Sequence, residues 1–382
     1  MNILFCYPTI FNPLRGGIER VTDLIAKELY NKGHNIFFLH NKKPIYKLSF
    51  SYPVNIDFFP STDYHNKINI DWYHKYLVQN NIDIVINQTG KFGDSILYNN
   101  TGGYSEVLSV IHDNPGINFL HYFGEISKYR PNRGNIEIIK RPLRCLIFPK
   151  IYLSAKKRLI NHYKWLNINT EKVILLSDKF IDEFKTFKGD INKVCIIPNP
   201  LSFPINKVDK KENIIIWVGR MDNQKRPDLM IKIWKKLNQK DWKLIMIGDG
   251  DLLDKTKKKA NNLRNIEFLG FTDPFPYYQK AKILCLTSSH EGFGMVLTEA
   301  MSQGCIPIAF RSYKSIEDII YNNKQLVSPF NINEYVRKLR NLINDKILQE
   351  ELKIQDYANI EKFKIENVIN QWENLLKKIT DK

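Results

Sequence analysis

The sequence predicts an α/β protein made of two Rossmann-like domains. Three observations predict it. Apolar runs of strand length alternate, in both halves, with segments whose apolar residues recur at helical spacing. The 382 residues suffice for two ordinary domains, each with its own core. Pro198, Pro200 and Pro204 form a semi-rigid connector, a charged stretch over 207–212 follows, and the strand–helix rhythm then restarts.

In the first half, residues 2–6 read as a strand and 36–39 as its neighbour. Between them a helix opens at Arg15-Gly16-Gly17-Ile18-Glu19-Arg20, with Ile18, Val21, Leu24, Ile25 and Leu29 on one face and Gly33 as its stop. Gly16 and Gly17 permit an anion or sugar to approach the backbone, although plain turn chemistry gives the same pair. The G-x-G-x-x-G dinucleotide fingerprint is missing, which disfavours a dehydrogenase. Strands follow over 54–59, 83–87 and 106–111, with a helix over 72–79. His112 comes just after the last of these, at the strand end where open α/β sheets bind ligands. His121, within 119–123, reads as a packed residue. Strands over 172–176, with Ser177 and Asp178 as a following helix cap, and over 194–197 complete this half.

The second half begins with a strand over 214–218 and a helix from Asp228, preceded by Pro227. Arg220 and Lys225 share the loop between them, two cations beside a helix start, an arrangement suited to a diphosphate or simply to a solvated surface. Arg226 is a neighbour that could share the role of Lys225. Strands over 243–247 and 266–269 follow. Residues 283–310 form the richest stretch: strand 283–286, the loop His290-Glu291-Gly292-Phe293-Gly294, a helix over 295–303 stopped by Gly304, and strand 306–310. Free N–H groups at Gly294, Met295 and Val296 attract phosphate. Glu291 and Glu299 flank them, and carboxylates suit sugar hydroxyls better than phosphate. The economical picture is a sugar, a phosphate and a ribose in a row; two ordinary surface glutamates are the bland alternative. The final helix is expected over about 359–378, with Phe363, Val368, Trp372, Leu375 and Leu376 on its apolar side.

Residue types, order and spacing in Glu291-Gly292-Phe293-Gly294, Glu299-Ala300-Met301 and Gly304 resemble the donor-site signature of retaining nucleotide-sugar glycosyltransferases of the GT-B fold, glycosyltransferase family 4. The resemblance implies two Rossmann-like domains facing a cleft: 1–204 on the acceptor side, 205–358 for the donor, and 359–382 crossing back to the first. It implies that Glu291 contacts the donor sugar and Glu299 the ribose. The amides of 292–296 would contact sugar and phosphate, and Arg220 and Lys225 the pyrophosphate. Gly16 and Gly17 would face the donor, and His112 the sugar. The implied reaction moves a sugar from a nucleotide diphosphate donor to an acceptor hydroxyl with retention. It uses no metal or other cofactor. A hexose, a UDP-sugar in preference to a GDP-sugar and a glycan acceptor are the expectation, although no motif reads the base or the sugar. A nucleotide-sugar epimerase of the same fold is the nearest rival, and a basic nucleic-acid-binding protein is the rival from another class.

Composition bounds the partners. Hydrophobic content is 43%, no apolar run approaches a membrane span, and the N-terminus lacks a basic leader, so a cytoplasmic protein is expected. Five scattered cysteines without C-x-x-C suggest reduced thiols. The net charge of +17 would suit nucleic acid, anionic lipid or anionic substrates. Much of it lies between Lys128 and Lys164, where eleven basic residues, laced with aromatics, are opposed only by Glu137. This stretch suggests peripheral contact with the inner face of the membrane and a lipid-linked or cell-envelope glycan acceptor, a solvated basic face being equally compatible. No compact nucleic-acid motif is present, so nucleic acid is not expected as a partner.

Overall fold

The structure is a computed structural model, and it describes residues 1–8, 16–41, 50–63, 66–91, 93, 95–116, 136–208 and 210–381. Residues 119–123 with His121, Arg15, and Lys128, Arg130 and Arg133 of the basic stretch lie outside them. The chain forms two compact units, one of Met1–Asn12, Ala26–Ile197 and Leu376–Lys382, the other of Pro13–Ile25 and Pro198–Leu375.

The described residues of the first unit form a parallel sheet of β1 (Asn2–Tyr7), β2 (Asn35–His40), β3 (Asn55–Phe58), β4 (Ile84–Asn87), β5 (Glu106–Ile111), β6 (Lys172–Leu175) and β7 (Val194–Ile196), in the order β3-β2-β1-β4-β5-β6-β7. Leu4 sits beside Phe37 on one neighbour and Val85 on the other. These strands are apolar on both faces because helices cover both, as parallel sheets require. Leu4, Leu39, Tyr73, Leu77 and Val85 pack one core, and Ile111, Tyr163, Val173, Phe180 and Phe184 another.

The second unit repeats the design with β8 (Glu212–Val218), β9 (Lys243–Ile247), β10 (Ile266–Gly270), β11 (Ala281–Leu286), β12 (Ile306–Phe310) and β13 (Leu326–Val327). Their order is β10-β9-β8-β11-β12-β13, the doubly wound arrangement. Strand order reverses between β8 and β11, so the loops after those two strands diverge from a common point. Ile215, Trp217, Met230, Ile233, Leu244, Ile283, Ile308 and Tyr335 fill its core.

Three local readings need correction. The helix expected from Trp72 is Lys67–Gln79, because Asn66 caps it by accepting a hydrogen bond from Ile68 N–H. Residues 136–164, legible only as a basic stretch, lie on two helices, Ile136–Leu146 and Phe148–Ile168. Pro142 and Pro149 obscure their period; Pro149 sits in the first turn of the second helix, where proline is tolerated. The single terminal helix is divided: Lys346–Ile360 ends, a 3-10 turn covers Glu361–Phe363, and Ile365–Thr380 begins after the extended Lys364 (ψ 143°). Cys6, Cys285 and Cys305 are buried free thiols, and Cys145 and Cys195 are partly buried ones. No helix among the described residues is long and apolar enough to cross a membrane.

Candidate active site

The loops after β8 and β11 meet at the switch point of the second sheet. Ser289 N–H donates to Gln224 O at 2.7 Å, and Gln224 Nε2 donates to His290 O at 3.2 Å. Thr287 Oγ1 takes the Trp217 indole N–H at 2.8 Å and lies 2.9 Å from Lys225 O. The two loops therefore behave as one rigid ledge. Gly248, at the end of β9, is forced by closeness: with φ of +133°, an added Cβ would lie 1.9 Å from Gly219 O.

On this ledge Lys225 Nζ donates to Glu291 Oε1 at 2.5 Å, with both side chains largely buried. Arg220 is 71% exposed at its side chain, 3.1 Å from Gln224 Oε1 and 3.3 Å from Asp222 Oδ2. Arg226 does not join Lys225. Its guanidinium grips Asp228 through two contacts of 2.9 and 3.2 Å and lies over the Phe330 ring.

The helix Met295–Ser302 starts at Gly294, which has φ of +90° and no capping side chain. The first-turn N–H groups of Met295 and Val296 are thus left for an anion. The turn after β12 braces this loop: Ser312 Oγ donates to Ser288 O at 2.6 Å and Ser315 Oγ to Gly292 O at 2.9 Å. Between them Tyr313 brings a buried, unpartnered hydroxyl to 2.7 Å from where a Gly294 Cβ would be. Burial, and then the Glu291 charge, hold this phenol well above its usual range, so it stays protonated. The Phe293 ring packs edge-on against Phe363, which leaves only its backbone to meet a ligand.

Glu299 is buried, and its carboxylate is engaged on both oxygens. Oε1 accepts from Arg20 Nη1 at 2.8 Å and Ser202 Oγ at 3.0 Å; Oε2 accepts from Tyr278 Oη at 2.9 Å. Arg20 also lies 5.7 Å from the Phe203 ring centre. Gly17 starts the same helix as Arg20, and a Cβ on it would touch Met295 at 3.7 Å. An added Cβ at Gly16 would instead meet the Glu19 carboxylate at 2.4 Å.

His112, in the first unit, follows β5. Its Nε2–H donates to Gln88 Oε1, and Nδ1 is buried without a partner. Burial lowers its pKa to about 4, so the ring is neutral near pH 7 with one bare acceptor nitrogen. The second unit therefore brings together Arg220, Lys225, Glu291 and the 292–296 loop, and separately Gly17, Arg20, Met295 and Glu299. Sequence reasoning missed Gln88, Arg20, Asp222, Ser202, Tyr278 and Tyr313. Only Arg20 carried a signal, as the charged residue one turn into the helix that the glycine pair opens. Among the described residues, no cluster of three or more His, Cys, Asp or Glu side chains could hold a metal ion.

Residues 199–359 match the family described as glycosyl transferases group 1. An uncharacterised glycosyltransferase of Haemophilus influenzae is 30% identical over 228 residues, which are 56% of this chain and 63% of that one. A Campylobacter jejuni α-1,4-N-acetylgalactosaminyltransferase, named for an undecaprenol-diphosphate-linked acceptor, is 28% identical over 50% of this chain and 56% of its own. These alignments span less than two thirds of the relatives' lengths. Solved structures match nearly end to end: apo lipopolysaccharide outer core galactosyltransferase WaaB at TM-score 0.68 and 18% identity, covering 99% of this chain and 100% of that one. Anabaena Alr3699/HepE, in complex with UDP and glucose, matches at 0.72 and 16%, covering 99% and 100%. The chain thus has the fold of the GT-B glycosyltransferases, and residues 199–359 of its second unit match the glycosyl transferases group 1.

Proposed function

We propose that this protein is a retaining glycosyltransferase that moves a hexose-type sugar from a nucleotide diphosphate sugar to a hydroxyl of a glycan acceptor in cell-envelope polysaccharide or lipopolysaccharide assembly. UDP is favoured over GDP, in keeping with the UDP complexes among the structural neighbours. A lipid-linked acceptor at the cytoplasmic face of the membrane is in keeping with the Campylobacter relative's name and with the basic stretch 128–164. One observation carries the reading: the buried Lys225–Glu291 pair stands at the β8/β11 switch point, on the loop that ends in an uncapped helix start.

The chemistry follows from that pair. A diphosphate draws Lys225 and Arg220 to itself and rests on the amides of Gly294, Met295 and Val296. Glu291, released from Lys225, accepts hydroxyls of the sugar. Glu299 accepts ribose hydroxyls on lone pairs that Arg20, Ser202 and Tyr278 leave free. His112, neutral, has a bare Nδ1 suited to a sugar hydroxyl. The bond between the anomeric carbon and the diphosphate oxygen breaks as the acceptor oxygen bonds to that carbon on the same face. The acceptor's proton passes to the leaving diphosphate. Two cations and the helix start stabilise the departing charge, so the reading includes no metal.

Thermal stabilisation across a panel of UDP- and GDP-sugars, with chelator present, tests this alongside Arg220→Ala, whose exposed position spares the fold. Stabilisation by one nucleotide, lost in the variant, is expected, together with sugar transfer to an added glycan. A folded protein that responds to no nucleotide sugar refutes the reading. Interconversion of the donor without transfer would make it an epimerase.

A further inference from the structure

The two helices that carry the described part of the basic stretch also carry an apolar ridge. Leu143 is 52% exposed, Leu146 78%, Ile147 42% and Leu153 63%. The junction between the helices keeps the helical repeat: Ile147 N–H donates to Leu143 O at 3.0 Å and Ile151 N–H to Ile147 O at 3.1 Å. Spacings of three and four therefore align residues 143, 146, 147, 150, 153 and 157 on one face. The opposite side of the second helix is spent on the fold, with Phe148, Ala155, Leu159, Tyr163 and Leu166 buried. Four large aliphatic side chains in one outward row belong to neither of the two cores described for this unit. Contiguous exposed apolar surface of this kind marks an interaction site.

Charge identifies the occupant. Lys150 and Lys157 interrupt the row itself, and Lys140, Arg144, Lys156, Arg158 and Lys164 lie on the same two helices, where Glu137 is the one acid in the sequence. A second copy of the chain would set this cationic row against another. A sheet of anionic headgroups over hydrocarbon satisfies both halves of the pattern, apolar residues inward and ammonium groups at the phosphates. We infer that the ridge Leu143–Leu146–Ile147–Leu153 inserts into the interfacial layer of an anionic membrane, with Lys150 and Lys157 on its lipid phosphates. Its purpose, bringing a membrane-held acceptor to the enzyme, rests on the glycan-transfer reading; the binding itself does not. Insertion differs from attraction of a basic surface alone, because part of it survives salt that screens charge.

The test is co-sedimentation of the full chain, without nucleotide, with vesicles of phosphatidylcholine alone or mixed with phosphatidylglycerol. Binding to the anionic vesicles is expected, with a fraction retained at about 0.5 M salt, where the screening length is only a few ångströms. Leu146→Ser/Leu153→Ser leaves the charge unchanged and should cut partitioning about tenfold. Both residues face solvent, so melting temperature and nucleotide-induced stabilisation should match the parent. The inference is overturned if the parent does not bind, if the double variant binds equally, or if salt removes all binding. It is also overturned if the parent is a dimer that the double variant dissociates, since the ridge would then cover a second copy. Nucleotide stabilisation without vesicle binding would sink this inference and leave the transferase reading standing; the reverse result would do the opposite.

Discussion

Removing Lys225 should damage the fold before any substrate is considered. Its ammonium lies 2.5 Å from Glu291 Oε1, with 16% of the lysine and 8% of the glutamate side chain exposed. Lys225→Met strands a buried carboxylate, a change that costs roughly 3–5 kcal/mol in well-buried pairs. Partial exposure of the lysine puts the expectation at the lower end, about 3 kcal/mol. For domains of this size that is a fall of roughly 6–12 °C in melting temperature. Glu291→Gln leaves the more exposed member unpaired and should cost less, about 1–2 kcal/mol. The double variant Lys225→Met/Glu291→Gln leaves no buried charge and should lie within about 1 kcal/mol of the parent, a coupling near 3 kcal/mol. Urea unfolding of the four proteins measures it. Additive losses, or an unchanged midpoint for Lys225→Met, would refute the pairing. Ligand binding separates the roles further. With Lys225 freed, Glu291→Gln should bind nucleoside diphosphate at least as tightly as the parent and yet lose transfer, whereas Lys225→Met should lose both.

Three other outcomes follow from buried groups. Asp356 is held well above the usual carboxylate range by burial, with Gln325 Nε2 donating to both its oxygens at 3.0 and 2.9 Å. The unfolded chain releases this proton first, so stability falls as pH rises above about 4; Asp356→Asn should gain on the order of 1–3 kcal/mol in urea unfolding at pH 7, and no gain there contradicts the assignment. His112 and His40 are both lowered to about 4 by burial. Between about 6.5 and 4 the unfolded chain binds more protons, so stability should drop with pH by up to ~3 kcal/mol per histidine; a His112→Asn variant with an unflattened profile would argue against it. Gly294→Ala meets both a φ of +90° and the Tyr313 hydroxyl at 2.7 Å, for a loss of roughly 1–3 kcal/mol; adding Tyr313→Phe should recover part of it, and simple additivity in the melting temperatures would deny the contact.

The α/β plan was legible because its signals are local. Apolar runs such as 84–87 and 283–286 are too short for helices and are bounded by turn residues, and the structure makes them central strands flanked on both sides. The stop at Gly304 was legible for a similar reason, since its φ of +70° is one few other residues adopt. The helices over 136–168 were not. Prolines interrupt their period, and exposed Leu143, Leu146, Ile147 and Leu153 lie outside the buried row, so the apolar residues do not trace a single inward stripe. The break at Lys364 was hidden because Phe363 and Val368 are both buried, which makes the apolar pattern run on through a chain that turns.

The candidate site was legible in its residue types but not in their resting partners, and electrostatics explains why. Glycines and carboxylates at fixed spacing are a local signal; a contact between residues 20 and 299, or 225 and 291, is not. On the proposed reading, a site for two phosphate charges must hold its cations somewhere while empty. Here each cation has a carboxylate: Lys225 with Glu291, Arg220 with Asp222, Arg20 with Glu299. Lys225, Glu291 and Glu299 are buried enough that isolation would be costly, whereas isolating the exposed Arg220 would cost little. On the proposed reading a diphosphate exchanges with the first two carboxylates instead of filling a bare positive pocket. The release of Glu291 is then coupled to arrival of the diphosphate, so the sugar's acceptor group becomes available only when a nucleotide carries the sugar in. That coupling makes a free sugar a poor ligand for Glu291 in the empty site, and adding nucleoside diphosphate should strengthen its binding; titrating the free sugar with and without the diphosphate measures the difference, and equal affinities would break the link between Lys225 and Glu291.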